Sequence, residues 1–217
     1  MIIDHTHPRY RQRWNASRGD RYNGAFYYSK EIVDIIIPRV KTDRNWITID
    51  MRCDRIGCDH AIVFVHNHPH CPEWYEWLRD YRDLIMVVSS EDEMEKVEHI
   101  GTPVYLPLSV DVEYVKQFRE ARKTKQIAFA GRPEKMMRHD LSGTIDFLFY
   151  LPRPLFLAEL AKYKQVYAVD RASIEAKVLG CEVLDYGHDN YDPGVIIDSR
   201  DAAKMLQKQL DRIDGVS

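Results

Sequence analysis

The sequence predicts an α/β protein made of two small Rossmann-like lobes with mostly parallel sheets. Three observations lead there. Short apolar runs such as Ala61–Val65 and Leu84–Val88 carry no polar alternation, the pattern of strands buried on both faces of a parallel sheet. Between such runs lie stretches with apolar residues three and four apart, the period of helices packed against a sheet. Near the middle of the 217 residues, Pro103 and Pro107 keep a segment extended, which suits a passage between lobes. The expected division is a first lobe at 1–108 and a second at 109–217.

Composition narrows the setting. With 45% hydrophobic residues the chain can bury a real core, and a net charge of −3 gives no global pull towards nucleic acid or acidic ligands. Four cysteines, no leader-like segment and no long apolar run predict a soluble, cytoplasmic protein with reduced thiols and no membrane span.

Along the chain, Met1–Asp4 predict a first strand, followed by a loop with His5 and His7, so that Asp4, His5 and His7 gather at the strand end. Loops at the carboxyl edge of parallel strands hold ligands, and His and Asp at strand ends also bind metal; a solvated polar loop fits equally. Arg9, Arg11, Arg13, Arg18 and Arg21 are interleaved with Tyr10, Trp14 and Tyr22. Guanidinium groups among aromatic rings suit phosphates and exposed bases, although a solvated loop has the same look. Ser29–Ile37 predicts a helix stopped by Pro38, and Trp46–Asp50 and Ala61–Val65 predict strands.

The stretch VFVHNHPHC (Val63–Cys71) follows, bringing His66 and His68 to a strand end. A neutral imidazole there can take a proton from a hydroxyl. The His-Asn-His-Pro run also resembles that of JAMM-type zinc hydrolases, though Glu76 and Trp77 stand where that family has its Ser. A structural zinc site drawing on Cys53, Cys58, His60, the three histidines His66, His68 and His70, and Cys71 is a further alternative. Pro72 begins a predicted helix with Trp74, Trp77, Leu78 and Tyr81 on one face. Leu84–Val88 predicts a strand, Ser90 caps a helix that Gly101 ends, and a further helix turns Val112, Val115 and Phe118 inward.

In the second half, Lys125–Ala130 predicts a strand. Gly131 after it allows close backbone approach to a phosphate, which Arg132 and Lys135 neutralise; a turn glycine with two surface cations reads the same way. Ile145–Leu151 predicts a strand and Pro154–Tyr163 a helix. QVYAVDRASIEAKVLGCEVL (Gln165–Leu184) reads as strand, turn, helix and strand. Ser173 or Asp170 is the expected cap, Ile174 and Val178 face inward, and Gly180 supplies the left-handed stop. Ser199–Ile213 closes the chain as an amphipathic helix with Ala202, Leu206, Leu210 and Ile213 inward.

Three of these stretches, in order, resemble GT-B glycosyltransferases. IEAKVLGCEVL is similar to the family's donor-site helix, VYLPLSVDVEYV (Val104–Val115) to its interlobe passage, and IAFAGRPEK (Ile127–Lys135) to its diphosphate loop. The resemblance implies a compact GT-B member using a nucleotide-sugar donor without a cofactor or metal. Donor binding would fall to Gly131, Arg132, Lys135, Arg171, Ser173 and Glu175, with Glu175 on the ribose. Catalysis would fall to His66 or His68 with Asp4. Acceptor binding would involve His7, Arg9, Arg11 and Arg13, which makes modified DNA a conceivable acceptor. The family's terminal helix returns to the first lobe, and Ser199–Ile213 can do the same. Tyr167 stands where many retaining members have another Glu, so inverting and retaining outcomes both stay open. A zinc-dependent hydrolase at the HNHP loop and a non-catalytic nucleotide-sugar binder remain the alternatives.

Overall fold

Strands buried on both faces need apolar side chains at every position, and the segments meeting that requirement are strands at the residues expected. The computed structural model describes residues 2–3, 24–49, 59–65, 76–131, 144–149, 151–184 and 194–215. These fall into two α/β units. One gathers the described residues of Met1–Asn15, Ile32–Pro107 and Arg200–Ser217, and the other those of Ala16–Glu31 and Leu108–Ser199. The division is therefore not a single point: the described residues 24–31 go with the second unit and the terminal helix from Arg200 onwards with the first.

The first unit holds β1 (Ile2–Ile3), β2 (Asn45–Ile49), β3 (Ala61–Val65), β4 (Leu84–Val88) and β5 (Thr102–Tyr105). All pairings are parallel and the spatial order is β1-β2-β3-β4-β5, so the sheet grows in one direction. On one face Ile47, Val63, Val65, Met86 and Val88 form a core with Leu78 and Val97. On the other, Trp46, Ile62, Phe64, Ile85 and Val87 are equally buried. Gly101, just before β5, owes its identity to space: a Cβ would stand 2.6 Å from the Leu84 carbonyl oxygen.

The helical segments that lead into this unit or belong to it differ from the periodic expectation in kind. The helix expected at Ser29–Ile37 begins earlier as α1 (Gly24–Glu31), then widens into a π turn (Ile32–Ile36) and tightens into a 3₁₀ turn (Ile37–Arg39). Pro38 lies early in that last turn, where its missing N–H leaves no helical bond unmade. The wider turn buries Ile32, Ile36 and Ile37 and leaves Val33 and Ile35 half-buried. Where a helix from Pro72 was expected, the described part is a 3₁₀ turn, Glu76–Asp80, with Leu78 buried. Ser90 stands before a second 3₁₀ turn (Glu91–Glu93), but its side chain makes no capping bond; α2 (Met94–Val97) continues from there.

The second unit holds α1, α3 (Val112–Lys116), β6 (Lys125–Ala130), β7 (Asp146–Leu148), α4 (Arg153–Leu160), β8 (Tyr163–Ala168), α5 (Asp170–Val178) and β9 (Glu182–Leu184). Its strands are also parallel, but the order is β7-β6-β8-β9. The chain steps from β6 outwards to β7, then returns across β6 to β8, which makes a winding reversal between β6 and β8. Phe156, Leu157 and Leu160 of α4 and Ile174 and Val178 of α5 share the core with Ala128, Ala130, Val166 and Ala168. Asp111 caps α3 by accepting from the Tyr114 amide at 3.3 Å. α5 stops as its glycine predicts: Gly180 has φ +78°, its N–H donates to the Lys177 carbonyl at 2.9 Å, and that of Cys181 to Ala176 at 2.9 Å.

The closing helix α6 (Ser199–Ile213) matches its expected span. From Arg200 onwards it belongs to the first unit, where Gln209 donates to the Tyr105 carbonyl at 2.8 Å and Gln207 accepts from the Lys41 amide at 2.6 Å. Ala202, Leu206 and Leu210 are buried, but Ile213 is 39% exposed. The helix is held beyond that point by polar contacts instead, with Arg44 donating to Asp214 at 2.7 Å. Among the described residues no helix is long and apolar enough to cross a membrane.

Candidate functional site

In an open parallel sheet, ligands settle outside the carboxyl ends of the strands where the winding reverses, because the two outgoing loops diverge and leave a crevice. Only the second unit's sheet has such a reversal among the described strands. Ala130 and Ala168 are paired partners across β6 and β8. Gly131 therefore leaves one lip of the reversal, and Val169 followed by α5 leaves the other.

The head of α5 is built differently from the capped start expected. Val169 occupies the cap position without a side-chain bond, and Asp170 has φ +52°, a left-handed conformation that costs energy for any residue with a Cβ. Ser173 does not cap; its hydroxyl donates to the Asp170 carbonyl at 2.6 Å. Ser173 thus braces the first turn from inside, and it is fully buried.

Arg171 and Glu175, one helical turn apart on α5, face inward into a buried charge cluster. Glu175 Oε1 accepts from Arg171 Nε at 3.1 Å and from an Arg153 terminal nitrogen at 2.9 Å. The same two guanidinium groups donate to Oε1 of Glu31, the last residue of α1, at 2.5 Å from Arg171 and 2.9 Å from Arg153. Glu31 Oε2 accepts from the Asp111 amide at 2.8 Å and the Ser199 hydroxyl at 3.0 Å. Arg171 also donates to the Ser109 carbonyl at 3.2 Å. Two carboxylates and two guanidinium groups are thus matched in number and heavily hydrogen-bonded, the condition under which burying charge is tolerable. Arg153 Nε has no hydrogen-bond partner among the described residues, but the guanidinium lies against the rings of Tyr27 (4.7 Å) and Tyr114 (5.0 Å). Cation–π attraction offsets that loss in part.

Of the residues expected to form a site, Gly131 stands at the β6 lip, while Arg171, Ser173 and Glu175 lie on α5 and are buried. The Glu175 carboxylate is turned to the two arginines, so in this conformation its work is charge pairing within the unit, and a ribose contact would require it to leave them. Arg132, Lys135, Asp4, His7, Arg9, Arg11, Arg13, His66 and His68 lie outside the described residues, as do Cys53, Cys58, His70 and Cys71. His60, weighed as a zinc ligand, has both ring nitrogens on carboxylates: Nδ1 is 2.5 Å from Asp83 and Nε2 3.1 Å from Asp43. Its pKa is raised by those bonds, Asp83 first. Glu31, Arg153 and Ser199 escaped sequence reasoning. The sequence holds Glu31 only as one of two neighbouring charges, Lys30 and Glu31, ahead of the Ile32–Ile37 stretch, which does not mark it as buried.

Fold and geometry together define a parallel α/β protein whose second unit has a winding reversal among its described strands. No protein-family model matches the chain, and comparisons with curated proteins and with solved structures give no match either.

Proposed function

We propose that the chain is a nucleotide-sugar-dependent glycosyltransferase of GT-B type whose second unit holds the donor at the β6–β8 reversal. The observation that carries this reading is the register Ala130↔Ala168, which sets Gly131 and the head of α5 side by side at the one winding reversal described. The order of IAFAGRPEK and IEAKVLGCEVL along the chain supports it. In this reading the donor diphosphate rests against the backbone at Gly131 and the first turn of α5, where amide N–H groups and the helix dipole favour an anion. Arg132 and Lys135 stabilise the charge that grows on the leaving diphosphate. The bond between the anomeric carbon and the phosphate oxygen breaks and its electron pair leaves with the diphosphate. The acceptor hydroxyl oxygen forms the new bond while His66 or His68, oriented by Asp4, takes its proton. The basic stretch around His7, Arg9, Arg11 and Arg13 would bind a nucleic-acid acceptor.

Calorimetric titration with a panel of nucleoside diphosphates tests the donor half. One member of the panel should bind, and Arg132→Ala should weaken it about ten- to a hundredfold, the worth of one charge-assisted hydrogen bond. Binding of none of them ends the proposal. Release of diphosphate from the matching nucleotide sugar, with acceptor present, separates a transferase from a non-catalytic binder. Activity abolished by a chelator and restored by zinc would favour the hydrolase alternative instead.

A further inference from the structure

The buried cluster brings a residue from the amino-terminal part of the chain to the head of α5. We infer that Glu31 is a positioning residue for the ligand site at the β6–β8 reversal, acting through Arg171. This rests on the donor reading above.

The geometry is specific. Arg171 immediately follows Asp170, the left-handed residue that opens α5 just beyond the carboxyl end of β8. A non-glycine residue stays in that conformation only where its surroundings hold it. The hold on Arg171 comes from three directions: Glu31 Oε1 at 2.5 Å, Glu175 Oε1 at 3.1 Å and the Ser109 carbonyl at 3.2 Å. Glu175 belongs to the same helix and moves with it. Glu175 also reaches Arg153 of α4, but of the two carboxylates Glu31 is the one that ties Arg171 to the α3 cap and the start of α6, because its second oxygen is anchored on the Asp111 amide and the Ser199 hydroxyl. With Glu31 in place, the α5 head has a fixed position relative to the α3 cap and the start of α6.

Charge and position predict opposite signs, which makes the inference testable. Glu31→Gln deletes a negative charge near an anion site, so electrostatics alone predicts tighter binding of a nucleoside diphosphate. Loss of positioning predicts weaker binding, because the amides must be reordered around the phosphate at each binding event. We expect affinity to fall about tenfold on that ground.

Glu31→Gln with Arg153→Gln restores one carboxylate to one guanidinium and should recover stability. If Glu31 served only to balance charge, the double variant would also recover wild-type affinity, and the inference would be overturned. If Glu31 positions α5, affinity stays low, and amide hydrogen exchange over 171–174 is faster than in the wild type while β6 and β8 keep their protection. Should neither variant fold, Ser199→Ala removes one anchor of Glu31 and should show a smaller loss of the same kind. Wild-type affinity together with unchanged exchange in that variant also overturns the inference. The two readings fail separately. A wild-type protein that binds no nucleoside diphosphate ends the donor reading and leaves exchange over 171–174 to decide the role of Glu31. Binding that ignores Glu31 spares the donor reading and ends the inference.

Discussion

The two sheets are alike in being parallel and buried, and differ in how the chain winds through them. The five-stranded sheet keeps chain order from edge to edge, whereas the four-stranded sheet reverses between β6 and β8. The charged clusters follow that difference. At the amino edges of both sheets, salt bridges are partly exposed and link strand starts to their neighbours. Arg44, Asp83 and His60 do this before β2, β4 and β3, while Lys125 bonds Glu159 at 2.5 Å and Tyr163 at 2.9 Å where β6 and β8 begin. At the carboxyl edge of the reversal the charges are buried and matched in number. Staples explain the amino edges. The buried cluster behind α5 calls for a further reason, and shaping the donor site proposed above would supply one.

The largest expected effect sharpens this contrast. Glu175→Ala leaves two buried guanidinium groups facing one carboxylate, and breaking a buried pair costs about 3–5 kcal/mol. Trp46, buried on β2, lets tryptophan fluorescence follow the first unit while amide exchange reports the second. Exchange protection of β6, β8 and α5 should collapse. A loss under ~1 kcal/mol would make this cluster no more than a surface ion pair and remove the distinction drawn above.

Next in size is a steric test of the first unit. In Gly101→Ala the new methyl group would meet backbone, the Leu84 carbonyl, at 2.6 Å, and neither partner is a flexible side chain. Separating β4 from β5 should cost about 1–3 kcal/mol, seen as an earlier urea midpoint by tryptophan fluorescence. The second unit offers a milder glycine. At Gly180 the φ of +78° disfavours a side chain, but the nearest atom is the mobile Arg119 guanidinium at 3.3 Å. Gly180→Ala should therefore cost only about 1 kcal/mol, from backbone conformation alone.

What was legible beforehand, and what was not, has a physical pattern. Ala61–Val65, Leu84–Val88, Lys125–Ala130 and the helix Ser199–Ile213 appear at the expected residues, because burial on two faces or on one stripe writes itself into local periodicity. The strand expected at Ile145–Leu151 shrinks to Asp146–Leu148, and Val169 rather than Ser173 or Asp170 stands at the head of α5. Those ends depend on partners that periodicity does not encode. The Glu31–Arg171 pair is the extreme case: its members are 140 residues apart, and each looks like an ordinary surface charge on its own helix. Winding order is equally hidden, since the strands of both sheets read alike as apolar runs.

The smallest effect is a pH dependence confined to the first unit's amino edge. His60 faces Asp83 and Asp43, with Arg44 beside it donating to Asp83, and the hydrogen bonds its ring donates to the two carboxylates, Asp83 first, raise the imidazole pKa above its ordinary value. Its contribution is fully present below the unfolded-state pKa near 6.5 and is lost as pH rises through the higher folded-state value. Asp83 works the other way: its bond from His60 lowers its pKa, so its share is present above the unfolded carboxylate value and fades as pH falls through the folded one. Stability from this cluster is therefore greatest between the two ranges. His60 is 43% exposed, and solvent screening holds the effect below ~1 kcal/mol. Urea midpoints followed by tryptophan fluorescence should fall slightly from pH 6 to pH 9 in the wild type and stay level in His60→Gln. An equal slope in both would assign the dependence to other groups. It would also leave the amino edge of this sheet, unlike the carboxyl edge of the other, without a charge cluster of measurable worth.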